Sequence, residues 1–181
     1  GSGGVGTIAI QLAKHLGAQV ATTSSEKSFA MLKSLGADVM VDYKKEEFEK
    51  VLKGYDLVLN SQDTQTLEKS LTILKPGGKV VSISGPPTKE FAAELGFGWF
   101  MRLVTSILSR SILKKAKNLK VDYSFLFMKS NGQQLADLTA LIESGAILPV
   151  MDRIFPWEEI NEALAYIESG RAKGKVVVKV K

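Results

Sequence analysis

A doubly wound α/β fold, a parallel sheet with helices on both faces, is predicted from three features of the sequence. Helical and extended segments alternate along most of the 181 residues. The extended segments, such as Asp56–Asn60 and Lys79–Ser84, are short apolar runs without strict alternation, as expected of strands buried on both faces. A glycine-rich stretch, Gly1-Ser2-Gly3-Gly4-Val5-Gly6, opens directly into the first helical segment.

The elements follow in order. Val5–Leu16 carries Ile8, Ile10, Leu12 and Leu16 at helical spacing and stops at Gly17. Gln19–Thr23 reads as a strand, Glu26–Leu35 as a helix ended by Gly36, and Asp38–Val41 as a strand. Glu46–Leu52 is a short helix and Asp56–Asn60 a strand; Thr66–Leu74 is a helix stopped by Pro76-Gly77-Gly78. Lys79–Ser84 is a strand ending at Gly85-Pro86-Pro87. Phe91–Leu119 then reads as one long helical region, aromatic first and lysine-rich later. Tyr123–Met128 is a strand, Gln133–Ser144 a helix, and Val150–Phe155 a strand; Trp157–Ser169 is a helix and Lys175–Lys179 the last strand. Repeated strand–helix–strand units imply right-handed crossovers.

Composition narrows the chemistry. With no cysteine and one histidine, His15, the chain has neither disulfides nor a thiolate or multi-histidine metal site. That suits a reducing compartment, and a cytoplasmic location is expected. No apolar run is long enough to cross a membrane, and the first residues lack the charged and apolar regions of a secretory signal. The net charge of +5 has much of its excess between Arg110 and Lys120.

Gly1-Ser2-Gly3-Gly4-Val5-Gly6 has the G-x-G-x-x-G spacing of a dinucleotide-binding turn. Glycine is needed there for the tight turn, for backbone approach to a pyrophosphate and for close helix packing, with the phosphates at the positive end of the helix. In such a fold a central strand precedes the loop. Without it two strand edges would lie open, so a fragment of a longer protein is expected.

The tip of the second strand selects between NAD and NADP. Here it reads Thr22-Thr23-Ser24-Ser25-Glu26-Lys27. Hydroxyls and a lysine attract an extra phosphate, which a carboxylate would repel, so NADP is expected over NAD. Glu26 is the opposing residue; as a first-turn helix residue capped by Ser24 or Ser25 it would complement the helix dipole.

Gly3-Gly4-Val5-Gly6, Ile10-Gln11-Leu12-Ala13-Lys14, Ser24-Ser25-Glu26-Lys27 and Leu35-Gly36-Ala37-Asp38 occur in that order. Asp42-Tyr43, Leu74-Lys75-Pro76-Gly77-Gly78 and Gly170-Arg171-Ala172-Lys173-Gly174-Lys175-Val176-Val177 follow. The series resembles the quinone oxidoreductase and enone reductase group of the medium-chain dehydrogenase/reductase superfamily, which is alcohol dehydrogenase-like with a Rossmann-type nucleotide-binding portion. The resemblance implies a Rossmann domain over residues 1–147 lacking its first strand, and a segment 148–181 returning to an absent N-terminal catalytic domain. It implies NADPH as cofactor, hydride transfer to a quinone or enone, a homodimer through the Tyr123–Met128 edge, and no zinc in this chain. The fragment alone is expected to be inactive.

The resemblance also assigns residues. Ser2, Gly3, Gly4, Val5 and Gly6 would line the pyrophosphate, and Ser24, Lys27 and Tyr43 the 2′-phosphate. Ser61, Ser84 and Gly85 would lie toward the nicotinamide, Phe125 and Phe127 in the strand covering the cofactor, and Lys173 or Arg171 over the phosphate end. Asn60-Ser61-Gln62-Asp63-Thr64 departs from the family's glycine-containing stretch. No catalytic residue is assigned: His15 suits the end of its helix, and Glu46-Glu47 and Glu158-Glu159 read as solvated pairs.

For the aromatic and basic stretch from Leu95 to Lys120 three readings stand: a packed helix with a solvated lysine face, a wall for a hydrophobic acceptor built on Trp99, Phe100 and Met101, and a helix on an anionic membrane surface. No nucleic-acid module is visible. Two rival functions remain. One is an S-adenosylmethionine-dependent methyltransferase, since Leu74-Lys75-Pro76-Gly77-Gly78 also precedes a strand there, although Thr23-Ser24 lacks the acid such enzymes use. The other is a non-catalytic nucleotide-sensing or structural protein on the same fold.

Overall fold

A computed structural model of the chain describes residues 1–180. The elements run α1 (Gly6–His15), β1 (Ala21–Ser24), a 3-10 turn (Glu26–Ser28) continuing into α2 (Phe29–Ser34), β2 (Val39–Asp42), α3 (Phe48–Val51), β3 (Tyr55–Asn60), α4 (Thr64–Leu71) and β4 (Leu74–Ser82). They continue with α5 (Lys89–Glu94), α6 (Trp99–Asn118), β5 (Asp122–Phe125), α7 (Gly132–Glu143), β6 (Met151–Pro156), a 3-10 turn (Trp157–Glu159) leading into α8 (Ile160–Glu168), and β7 (Lys175–Lys179). Every strand pair is parallel, so the α/β class expected from the alternation holds.

The chain folds as two compact units. The first comprises Gly1–Phe48 and Asn131–Lys181. In it β1 pairs with β2, from Ala21 opposite Val39 to Ser24 opposite Asp42, and β6 pairs with β7. Ile10 of α1, Leu32 of α2 and Ala37 form a buried cluster, with Val20, Met31, Leu35 and Met40 against it. Helix α1 stops where Gly17 turns to φ +82°, and Lys14 and His15 lie at its negative end. Asp38 joins this helix to β1: it accepts from Val20 N at 2.7 Å and pairs with Lys14 at 2.9 Å. The Val20 amide and then the lysine hold its carboxyl below the ordinary range.

The second unit is Glu49–Ser130, built on β3, β4 and β5 in that order. Its core joins Leu67 and Leu71 of α4 to Leu74, Val80, Val121 and Tyr123, and to Ile112 and Ala116 of α6. Several elements differ from the sequence reading. The strand expected over Tyr123–Met128 ends at Phe125, so Phe127 lies beyond it. Helix α4 ends at Leu71, and Pro76-Gly77-Gly78 is not its stop but an irregularity inside β4. Tyr55 faces Leu74 and Leu57 faces Lys79, so Lys75–Gly78 is looped out against Asp56. The expected long helix over Phe91–Leu119 is two helices, because Gly96 takes φ +72° after α5 and Gly98 precedes α6 as its N-cap.

Candidate nucleotide-binding site

In the first unit the glycine loop is closely packed at its backbone. A Cβ on Gly6 would lie 2.2 Å from the Gly1 carbonyl oxygen, so the first turn of α1 can approach the loop only with glycine there. The loop is pinned by Thr7 N to Gly3 O at 3.0 Å and by Gly174 N to Ser2 O at 2.9 Å. Gly3 and Gly174 form a parallel bridge, bringing the C-terminal segment beside the loop. Gly174 is itself constrained: φ is +95°, and a Cβ would sit 2.3 Å from Val150 O. Helix α1 has no side-chain cap and no acidic residue in its first turn, so no carboxylate of that turn offsets its positive end.

The tip of β1 lies in the same unit. Ser24 is buried, and its hydroxyl donates to Ser25 O at 3.1 Å, while Tyr43 is largely exposed. Glu26, the acid that would oppose a phosphate, is paired with Lys45 at 2.6 Å. The Glu26 carboxylate raises the Lys45 ammonium above the ordinary lysine range. Lys173 Nζ reaches Lys27 O at 3.4 Å, uniting two residues 146 positions apart. The Lys173 backbone N–H donates at 2.9 Å to Asp152 Oδ2, which also accepts from the Tyr166 hydroxyl at 2.7 Å. Burial pushes the Asp152 carboxyl up, but these two bonds and the nearby cations outweigh it and leave the group below its ordinary value. Asp152 was not singled out from the sequence; its position in an edge strand carries no motif. Arg171 is exposed in the same C-terminal loop.

The second unit carries a polar cluster at the carboxyl ends of β3, β4 and β5, the end of a parallel sheet where ligands bind. Buried Ser82 is its hub. Its hydroxyl donates to Asn60 Oδ1 at 2.9 Å and accepts from Gly85 N at 2.9 Å. Ser84 Oγ donates to Gln62 O at 2.5 Å and contacts Asn60 Oδ1 at 3.3 Å. The Tyr123 hydroxyl donates to Pro86 O at 2.7 Å, and burial pushes the phenol up to about 12. Ser61 is exposed beside Asn60. Asp63, in the stretch that departs from the family's glycine-containing one, caps α4 by accepting from Thr66 N at 2.7 Å, and that amide lowers its carboxyl. Phe125 meets Phe91 edge to face at 4.9 Å, and Phe127 lies 6.0 Å from the same ring. Asn60, Ser82 and Tyr123 escaped the sequence reading because no motif marks them.

Parallel strands, a glycine turn at an uncapped helix and a polar carboxyl edge define a Rossmann-type nucleotide-binding domain. Residues 35–178 match the zinc-binding dehydrogenase family. The chain belongs to that family, as the nucleotide-binding portion of a medium-chain dehydrogenase/reductase. It is 34% identical over 190 residues to the mitochondrial NAD(P)H oxidoreductase RTN4IP1 of Danio rerio, covering 99% of this chain and 47% of that protein. It is 37% identical over 182 residues to 2-methylene-furan-3-one reductase of Solanum lycopersicum, covering 98% of this chain and 38% of that protein. The structure of the quinone oxidoreductase from Coxiella burnetii superposes with a TM-score of 0.81 at 29% identity, over 99% of this chain and 50% of that one. The chain thus spans half or less of the length of these relatives.

The family's description names zinc. No three His, Cys, Asp or Glu side chains converge among the described residues, and the sequence has no thiolate. Nor is any helix among the described residues long and apolar enough to cross a membrane.

Proposed function

We propose that the chain is the NADP(H)-binding portion of an oxidoreductase that passes hydride from NADPH to a quinone or an α,β-unsaturated carbonyl. The observation that carries the reading is the pairing of Glu26 with Lys45 beside the meeting of Lys27 and Lys173. The Glu26 carboxylate that follows β1 is paired, and Lys27 and Lys173 remain to suit a 2′-phosphate, with Asp42 opposite Ser24 on β2. The glycine turn and the uncapped start of α1 suit a pyrophosphate.

In the first unit Ser2, Gly3, Gly4, Val5 and Gly6 would hold the pyrophosphate, with Lys27, Tyr43, Lys173 and Arg171 around the 2′-phosphate. Ser24 would act through the shape of the strand tip, since its hydroxyl is already bonded to Ser25 O. In the second unit Ser61, Ser84, Gly85, Phe125 and Phe127 would serve the nicotinamide end. When bound, NADPH supplies the hydride; the residues of this chain orient it and exclude water. The reading includes a homodimer through the edge of β5 and a reducing compartment such as the cytoplasm. Light scattering that finds only monomer at high concentration would remove the dimer.

The test is a titration with NADPH and NADH side by side, followed by nicotinamide fluorescence. Tighter binding of NADPH supports the reading. Equal affinities would remove the NADP preference, and binding of S-adenosylmethionine instead of either would overturn the class of cofactor.

A further inference from the structure

The outer face of α6 is largely exposed among the described residues, with α5 beside its start, and its two halves differ in chemistry. Thr105, Ser109, Ile112 and Ala116 are the buried positions of this helix. In its first half the packed side is therefore polar: Thr105 Oγ1 donates to Met101 O at 3.0 Å and Ser109 Oγ to Thr105 O at 2.8 Å. The apolar side chains point the other way. Trp99 is 77% exposed, Phe100 61% and Ile107 64%. At 3.6 residues per turn Phe100, Leu103 and Ile107 form a stripe opposite the buried one, about 10 Å long. The same stripe continues through Arg110 and Lys114, with Lys117 beside it. Lys115 pairs with Glu68, but Arg110, Lys114 and Lys117 have no carboxylate partner among the described residues.

We infer that the outer face of α6 docks on an anionic phospholipid surface. Large exposed apolar side chains carry a hydration cost that insertion at the acyl boundary relieves. Trp99, at the start of the helix, has the amphipathic ring that settles at a headgroup interface. About three to five turns further on, the unpaired cations meet the lipid phosphates, and the net charge of +5 favours approach to such a surface. Beside Trp99 lies an open groove of about 530 Å³ that carries Lys89 and Arg102 together with Glu90, Ala93, Leu103 and Ser106. Charge complementarity selects this occupant: a second copy would bring the same uncompensated cations against each other. The helix lies on the surface and does not span it.

The 181-residue chain carrying Trp157→Phe, which leaves Trp99 as its one tryptophan, would be floated with phosphatidylcholine vesicles with and without phosphatidylglycerol. The expected result is flotation with the anionic vesicles and a blue shift of Trp99 emission. Leu103→Glu with Ile107→Glu abolishes both; these side chains are exposed, and far-UV circular dichroism checks that the fold is kept. Arg110→Glu with Lys114→Glu weakens binding roughly tenfold or more. Absence of flotation on anionic vesicles overturns the inference, as does flotation that Leu103→Glu with Ile107→Glu leaves unchanged. Light scattering that shows a dimer lost with that pair would assign the face to a second copy instead.

Discussion

The side-chain amide of Gln11 is bonded at both ends to the backbone of Leu148, Nε2 donating to the carbonyl at 2.9 Å and Oε1 accepting from the N–H at 2.8 Å. Nε2 also donates to Thr7 O at 2.9 Å, so one buried side chain fixes α1 against a segment 137 residues away. Gln11→Ala leaves the Leu148 groups without partners in a part-buried site. The expected loss is about 1–3 kcal/mol of stability, read from urea denaturation. A change below a few tenths would show that water replaces the amide.

Ser82→Ala removes the hub of the polar cluster in the second unit. Asn60 Oδ1 loses a donor and Gly85 N an acceptor, both near fully buried positions. A loss of about 1–3 kcal/mol is expected, and amide exchange should rise first at Gly85. Unaltered exchange there would mean that Ser82 does not hold the turn.

Lys45→Ala is the sharper test of coenzyme choice. It frees the Glu26 carboxylate at the tip of β1, so NADPH affinity should fall by roughly tenfold while NADH affinity stays or rises. Lys27→Glu should act in the same direction. Equal losses for both coenzymes would remove these residues from phosphate selection.

Alkaline pH should act through Tyr123. Its phenol is held neutral up to about 12, above the usual value near 10. The folded state therefore binds this proton more tightly than the unfolded state. The stability it contributes is complete below about pH 10 and is lost as pH rises through 12. Tyrosinate absorbance should show a phenol titrating near 12 in the native protein that is missing in Tyr123→Phe, while the phenol of Tyr166, raised by its bond to Asp152, stays in both. A wild-type stability that is flat through that window would contradict the burial of the phenol.

Local signals in the sequence carried much of this architecture. The glycine turn, the α1 face around Ile10 and most strand positions are written in consecutive residues. What escaped were relationships across distance. Glu26 looked like an obstacle to a phosphate because its partner Lys45 lies 19 residues on. Ser24 looked available, but its hydroxyl turns inward to Ser25 O. Pro76-Gly77-Gly78 looked like the stop of a helix because a bulge inside a strand uses the same residue types. The break between α5 and α6 was hidden by apolar residues on both sides of Gly96 and Gly98.

The close approaches at Gly6 and Gly174 also govern which inherited variants the chain tolerates. Any codon change that replaces glycine adds at least a Cβ, and at both positions that atom meets a backbone oxygen, which cannot swing aside as a side-chain tip does. No missense allele at either position is conservative, alanine included. At Gly98 a Cβ meets nothing within 4 Å, so small substitutions there can drift. In a survey of natural variants, the loop and its C-terminal partner should therefore stand out as two points of silence.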